Sequence, residues 1–250
     1  MSYKGFLDAQ NDWLNRKSKN KNQLFQDLKP RDRIAKIIIE NIIPKIDNLN
    51  FKFRKSDLRI KRKDGDFEQS LKFITNHKNY KNEIVSFEII LLVYSKKLET
   101  WRAENYSDKS LRLNGIIATN STERLKDWNQ QFEKGWYKLH LDDNHKIVDE
   151  IINNIINVAV PYFSQYESYD QIIADFNKNP ITNFIDLIDI NLMQGKYQDA
   201  KLVLEQNRDF FEEKIIKEEK ANSNSLFLTN EKPLYLSRKK KIENWVQQRV

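Results

Sequence analysis

The best metal-like cluster in this chain is the run His140-Leu141-Asp142-Asp143-Asn144-His145. Imidazole and carboxylate groups ligate divalent ions, and a strand-to-helix turn can gather them. The same residues have a simpler use. His140 would project from a strand and His145 from a first helical turn. Asp142, Asp143 and Asn144 between them are what a helix N-terminus needs for capping and for its dipole. Capping is the favoured reading, and no metal or other cofactor is expected. His77, in the turn Thr75-Asn76-His77-Lys78-Asn79, is too far along the chain to be paired with the other two by spacing. The carboxylate pairs Glu212-Glu213 and Glu218-Glu219 lie among Lys214, Lys217 and Lys220, the pattern of a salt-bridged helix face in water. A glycine-rich phosphate loop, a nucleophile elbow and a His-Glu-x-x-His helix are all absent from the sequence. With no cysteine, thiolate zinc sites, disulfides and cysteine nucleophiles are excluded. A non-enzymatic protein is expected.

The stronger candidate is a binding face. Phe51-Lys52-Phe53-Arg54 turns at Lys55-Ser56-Asp57 and returns as Leu58-Arg59-Ile60-Lys61-Arg62-Lys63, ahead of Asp64-Gly65-Asp66. Side chains alternate along a strand, so Phe51, Phe53, Leu58 and Ile60 share an apolar face. Lys52, Arg54, Arg59, Lys61 and Lys63 then share the other, which is either a site for an anionic partner or a solvated face. Single-strand binders set aromatics beside their cations for base stacking. Here the aromatics alternate with the cations and belong to the core side. Docking onto an acidic protein partner is the favoured use. Sequence-nonspecific nucleic-acid binding is the alternative, helped by Arg238-Lys239-Lys240-Lys241 if that run folds nearby.

These side chains need a frame, and the periodicities predict an α+β one: an antiparallel β-meander flanked by helices, with a C-terminal helical hairpin. Of 250 residues, 39% are hydrophobic and 12% aromatic, which is enough for a real core. The net charge of +7 favours encounter with anionic partners but says nothing about fold. Helical spacing covers residues 5–14, and a basic polar stretch follows at 16–22. A helix from Pro30 carries Ile34, Ile37, Ile38, Asn41 and Ile42 on one stripe until Pro44 ends or bends it. Beyond the hairpin, a third strand is predicted over 67–75. A fourth over 84–94 is apolar on both faces and so is read as central and covered on both sides. A fifth spans 111–118 and a sixth 136–141. A helix with Ile147, Ile151, Ile155 and Val158 inward is closed by Pro161, and a short helix covers Tyr169 to Phe176.

After Asn179-Pro180 the composition is helical. Met193-Gln194-Gly195-Lys196-Tyr197 joins two helices, with Gly195 as the C-cap. The pattern resembles a single tetratricopeptide unit, and it is read as a packing hairpin because one unit cannot build a solenoid. A loop at 221–225 leads to a last helix bearing Trp245. Three segments are expected: an N-terminal extension at 1–30, an α+β domain at 31–179 and a helical segment at 180–250. The first residues lack the apolar core of a signal peptide, and no apolar run is long enough to span a membrane, so a cytoplasmic protein is expected.

Phe51-Lys52-Phe53, Arg62-Lys63-Asp64-Gly65-Asp66-Phe67 and Phe73 resemble the bacterial family catalogued as domain of unknown function 4304. Tyr94-Ser95-Lys96-Lys97, Trp101, Trp128, Trp136-Tyr137, Ile151 and Val160-Pro161-Tyr162-Phe163 continue the likeness. It covers residues 33–178. It implies an α+β domain with a helix before an antiparallel sheet and helices after it, and carries no active site to transfer. Some such domains sit beside toxin genes as immunity partners, so the resemblance implies a protein partner, with a toxin as one candidate.

Overall fold

The structure, a computed structural model, describes residues 22–80, 84–106, 114–129, 135–221 and 228–248. The segments expected at 5–14, at 16–21 and at 222–225 lie outside the described residues, as do the side chains of Lys214, Lys217, Glu218, Glu219 and Lys220. The fold is α+β. The chain divides into two compact units, Met1–Asp64 with Glu68–Val93 and Ala118–Ser164, and Gly65–Phe67 with Tyr94–Ile117 and Gln165–Val250.

The first unit opens with α1, Pro30–Ile37, whose proline sits where its missing N–H is not needed. The helix does not stop at Ile37. It widens into a π-helical turn over Ile38–Ile42 and tightens to a 3-10 turn over Ile43–Lys45, which contains Pro44. The same device recurs later: α3, Asn144–Asn154, passes into a π-turn over Ile155–Ala159 and on into α4, Val160–Phe163, which contains Pro161. A proline ring collides with the carbonyl four residues back and offers no N–H, and a widened turn before it moves that carbonyl aside. Pro161 therefore does not close the helix; the chain remains helical through it. Both turns follow the pattern Ile-Ile-x-x-x-(Ile/Val)-Pro, with the first Ile buried and the second exposed (Ile39 47%, Ile156 43%).

Among the described residues the sheet has six strands. These are β1 (Lys52–Arg54), β2 (Arg59–Asp64), β3 (Phe67–Thr75), β4 (Ser86–Ser95), β5 (Ile116–Ser121) and β6 (Tyr137–Lys138). The order is β1-β2-β3-β4-β5, with β6 also on β4. β1 and β2 pair antiparallel with Lys52 opposite Lys61, Phe53 opposite Ile60 and Arg54 opposite Arg59. The turn between them, Lys55–Asp57, ends at Leu58 with φ 50°. A leucine in that left-handed region is held by its burial, and its carbonyl accepts the Phe73 N–H at 2.9 Å.

β4 is interior in the sheet, as its apolar run predicts, but its two faces differ. Phe87, Ile89, Leu91 and Val93 are fully buried, while Glu88, Ile90, Leu92 and Tyr94 on the other side are only half-buried. The cover expected on both sides is uneven: one face is fully buried in the core and the other is half-buried. On that inner side Phe87 lies 5.5 Å from Phe73 and stacks on Tyr137 at 5.3 Å. Tyr137 accepts a hydrogen bond from Trp128 Nε1 at 2.9 Å. Of the fifth strand expected over 111–118, residues 111–113 lie outside the described residues and the described strand begins at Ile116; the sixth is reduced to two residues followed by a turn.

The second unit holds α2 (Lys96–Asn105), α5 (Tyr169–Phe176), α6 (Pro180–Met193), α7 (Tyr197–Ala221) and α8 (Leu228–Gln247). Gly195, at φ +73°, ends α6 as expected. Its N–H donates to Leu192 O at 3.1 Å and the Lys196 N–H to Asn191 O at 2.8 Å, the paired bonds of a Schellman cap. Gly115 answers a different need: a Cβ there would lie 2.1 Å from Ser95 O.

Asp189 on α6 is completely buried. It accepts from Arg102 Nε at 2.9 Å, from Arg238 Nε and an Arg238 terminal nitrogen at 3.0 and 2.7 Å, and from the Tyr106 hydroxyl at 2.6 Å. Arg102 also reaches Asp186 and the Asn114 carbonyl, and the Arg238 guanidinium lies 4.0 Å from the Tyr106 ring centroid. Burial and the neighbouring Asp189 charge push the Tyr106 phenol up, so it stays a donor. Two buried guanidinium groups around one carboxylate join α2, α6 and α8.

Candidate functional site

The cations of the first hairpin occupy one face because β1 and β2 keep strict alternation through a tight turn. The register sets Lys52 against Lys61 and Arg54 against Arg59, with Phe53 and Ile60 on the reverse side. Lys52, Arg54 and Lys63 are exposed, and Arg59 and Lys61 are half-buried. Two carboxylates sit among them. Asp57 receives Arg54 Nε at 2.7 Å and lies 2.9 Å from Arg59 Nε. Glu68, from the outer face of β3, pairs with Lys61 and lies 3.6 Å from Arg59. The hydrogen bond from Arg54 holds the Asp57 carboxyl below the usual carboxylate range, with the nearby Arg59 charge acting the same way against burial.

Five cations and two carboxylates leave this face with three positive charges in excess. Lys52 and Lys63 have no ionic or hydrogen-bonding partner among the described residues. They stand diagonally across the ladder, a spacing of about 7–8 Å. β1 is at the end of the strand order, where outward cations also guard against unwanted edge pairing. Asp57 and Glu68 were not recognised as part of this face from sequence. Glu68 could have been: its place on the polar side of β3 puts it beside the β2 cations.

The run Arg238-Lys239-Lys240-Lys241, expected to help nucleic-acid binding if it folded nearby, does not present four cations together: only Lys240 is exposed. Arg238 is buried on Asp189, Lys239 donates to Glu212 at 2.8 Å, and Lys241 donates to Asn105 Oδ1 at 2.7 Å. Helical spacing turns successive residues of the run in different directions, so four adjacent cations cannot share one face.

The histidine–carboxylate run is a capped helix start. Asp143 accepts the backbone N–H groups of His145 and Lys146 at 2.9 and 3.4 Å and the Asn22 amide at 2.9 Å. His140 is buried with Nδ1 3.2 Å from the Val85 nitrogen, while His145 is exposed. Asn144 does something sequence reasoning missed. It is buried and accepts from Arg33 at 2.9 Å and from the Leu24 N–H at 2.9 Å, and donates to Leu139 O at 2.9 Å. Arg33, only 1% exposed, also donates to Leu24 O at 2.8 Å and Leu139 O at 3.1 Å. Burial among these neutral acceptors pushes it down to about 10. Among the described residues no group of three or more histidine, aspartate or glutamate side chains is placed to hold a metal ion.

A polar recess of about 470 Å³ lies along α3, lined by Asn129, Lys146, Asp149, Glu150, Asn153 and Asn154. The Asn154 side chain is committed to the Asn129 backbone, accepting its N–H at 3.0 Å and donating to its carbonyl. No helix among the described residues is long and apolar enough to cross a membrane. Neither the protein-family models, the curated proteins nor the solved structures contain a match to this chain.

Proposed function

We propose that this protein is a non-enzymatic interaction module that docks an acidic protein partner on the outer face of β1 and β2. The observation that carries the reading is the in-register cation ladder whose Lys52 and Lys63 are exposed and, among the described residues, unpaired. Asp57 and Glu68 fix Arg54, Arg59 and Lys61 in place, so ordering them on binding costs little further side-chain entropy. The hairpin aromatics lie on the opposite side from the cations, which weighs against a nucleic-acid track. The partner sets the biological role. In the setting that the family resemblance implies, it is a toxin neutralised by an immunity or defence-associated protein.

Immobilised protein should retain a partner from bacterial lysate whether or not nuclease is present. The double variant Lys52→Glu/Lys63→Glu should lose it, and both positions are exposed enough to leave the fold intact. Retention that disappears with nuclease would replace this reading with the nucleic-acid one. Retention unchanged by the charge reversal would reduce the ladder to a solvated surface.

A further inference from the structure

We infer that the free edge of β1 takes up an extended acidic segment of the partner as an additional strand. This rests on the acidic-partner reading above and specifies how the partner is held. β1 ends the strand order of the described residues, and within that sheet Lys52–Arg54 hydrogen-bond to β2. Among the described residues no backbone or side-chain group bonds the other side of these three residues. The helix before the sheet bonds the turn beyond them: Arg31 donates to the Lys55 and Ser56 carbonyls at 3.2 and 2.8 Å, and Lys55 pairs with Asp32 at 3.2 Å.

The side chains at this edge select what can be added. Lys52 and Arg54 are exposed on the outer side and Phe53 is half-buried on the inner side. An added strand presents its own side chains with a period of two, about 6.6–6.8 Å between alternate residues. Carboxylates at alternate positions therefore meet Lys52 and Arg54, and an apolar residue between them lies against Phe53. A second copy of β1 would bring Lys52 and Arg54 against themselves, so charge disfavours self-pairing and favours an acidic strand. Main-chain bonds supply affinity and alternate side chains supply selectivity, the general mode of strand addition.

The test uses the full chain and two labelled peptides of alternating Glu and Val, identical except that one carries N-methyl groups on the amides facing the added edge. Fluorescence anisotropy should show the N-methylated peptide binding at least about tenfold more weakly, the loss expected for two missing main-chain bonds. Amide exchange at one or more of Lys52, Phe53 and Arg54 should slow when the unmodified peptide is bound. Equal affinity for the two peptides, with those amides unprotected, overturns strand addition while leaving acidic docking in place. Binding of neither peptide overturns both.

Discussion

Arg33 is a buried cation held by neutral oxygens. Its guanidinium is the donor shared by Leu24 O, Leu139 O and Asn144 Oδ1, so removing it leaves two buried acceptors and one half-buried acceptor short of a bond. Arg33→Ala is expected to cost roughly 3 kcal/mol, read as a lower urea midpoint, and an unchanged midpoint would refute this role. Asp57 makes a pH prediction. Its folded carboxyl titrates below its unfolded value because of Arg54 and Arg59, so its stabilisation is full above about pH 4. It is lost as pH falls through the lower folded value. Asp57→Asn should reduce stability at neutral pH by less than about 1 kcal/mol and flatten the acid limb of the stability curve. A variant as acid-sensitive as the native chain would show that Asp57 does not carry that limb. Neither Arg33 nor Asp57 stood out in the sequence, because their partners are fixed by tertiary register rather than by spacing along the chain.

Elements were legible where one local period ruled. β3 and α5 begin and end where alternation and helical spacing place them, and Gly195 caps α6 because the turn needs a positive φ. What the sequence hid was which face a uniformly apolar strand presents to the core. Leu91→Ala should cost about 3 kcal/mol and Leu92→Ala about 1 kcal/mol, since Leu91 is fully buried and Leu92 half-buried. Equal losses by chemical denaturation would mean that both faces of β4 are covered. The π-turns were likewise invisible, because a proline reads as a stop whereas a widened turn upstream lets the helix pass it. The cationic face was legible in its residues but not in its net charge, since Asp57 and Glu68 enter it from the turn and the next strand.

At the scale of the whole molecule, each unit carries its own buried polar centre: Arg33 with Asn144 in the first, and Arg102, Asp189 and Arg238 in the second. Asp189→Asn leaves two buried guanidinium groups without their shared carboxylate and should cost about 3–5 kcal/mol. Replacing Arg102, Asp189 and Arg238 together by apolar residues of similar volume should cost less than the single change. A single variant as stable as the native chain in thermal melts would refute this account of the network. The outer face of the first hairpin is the proposed docking surface, and a paired titration decides what binds there. Anisotropy of the labelled alternating Glu-Val peptide and of a labelled duplex DNA is followed across salt for the native chain and for Lys52→Glu/Lys63→Glu. Peptide binding is expected to weaken with salt and to be lost in the variant, with duplex DNA at background. Duplex binding that falls with salt at a slope of about 0.9 per phosphate neutralised, with no peptide bound, would contradict docking of an acidic partner.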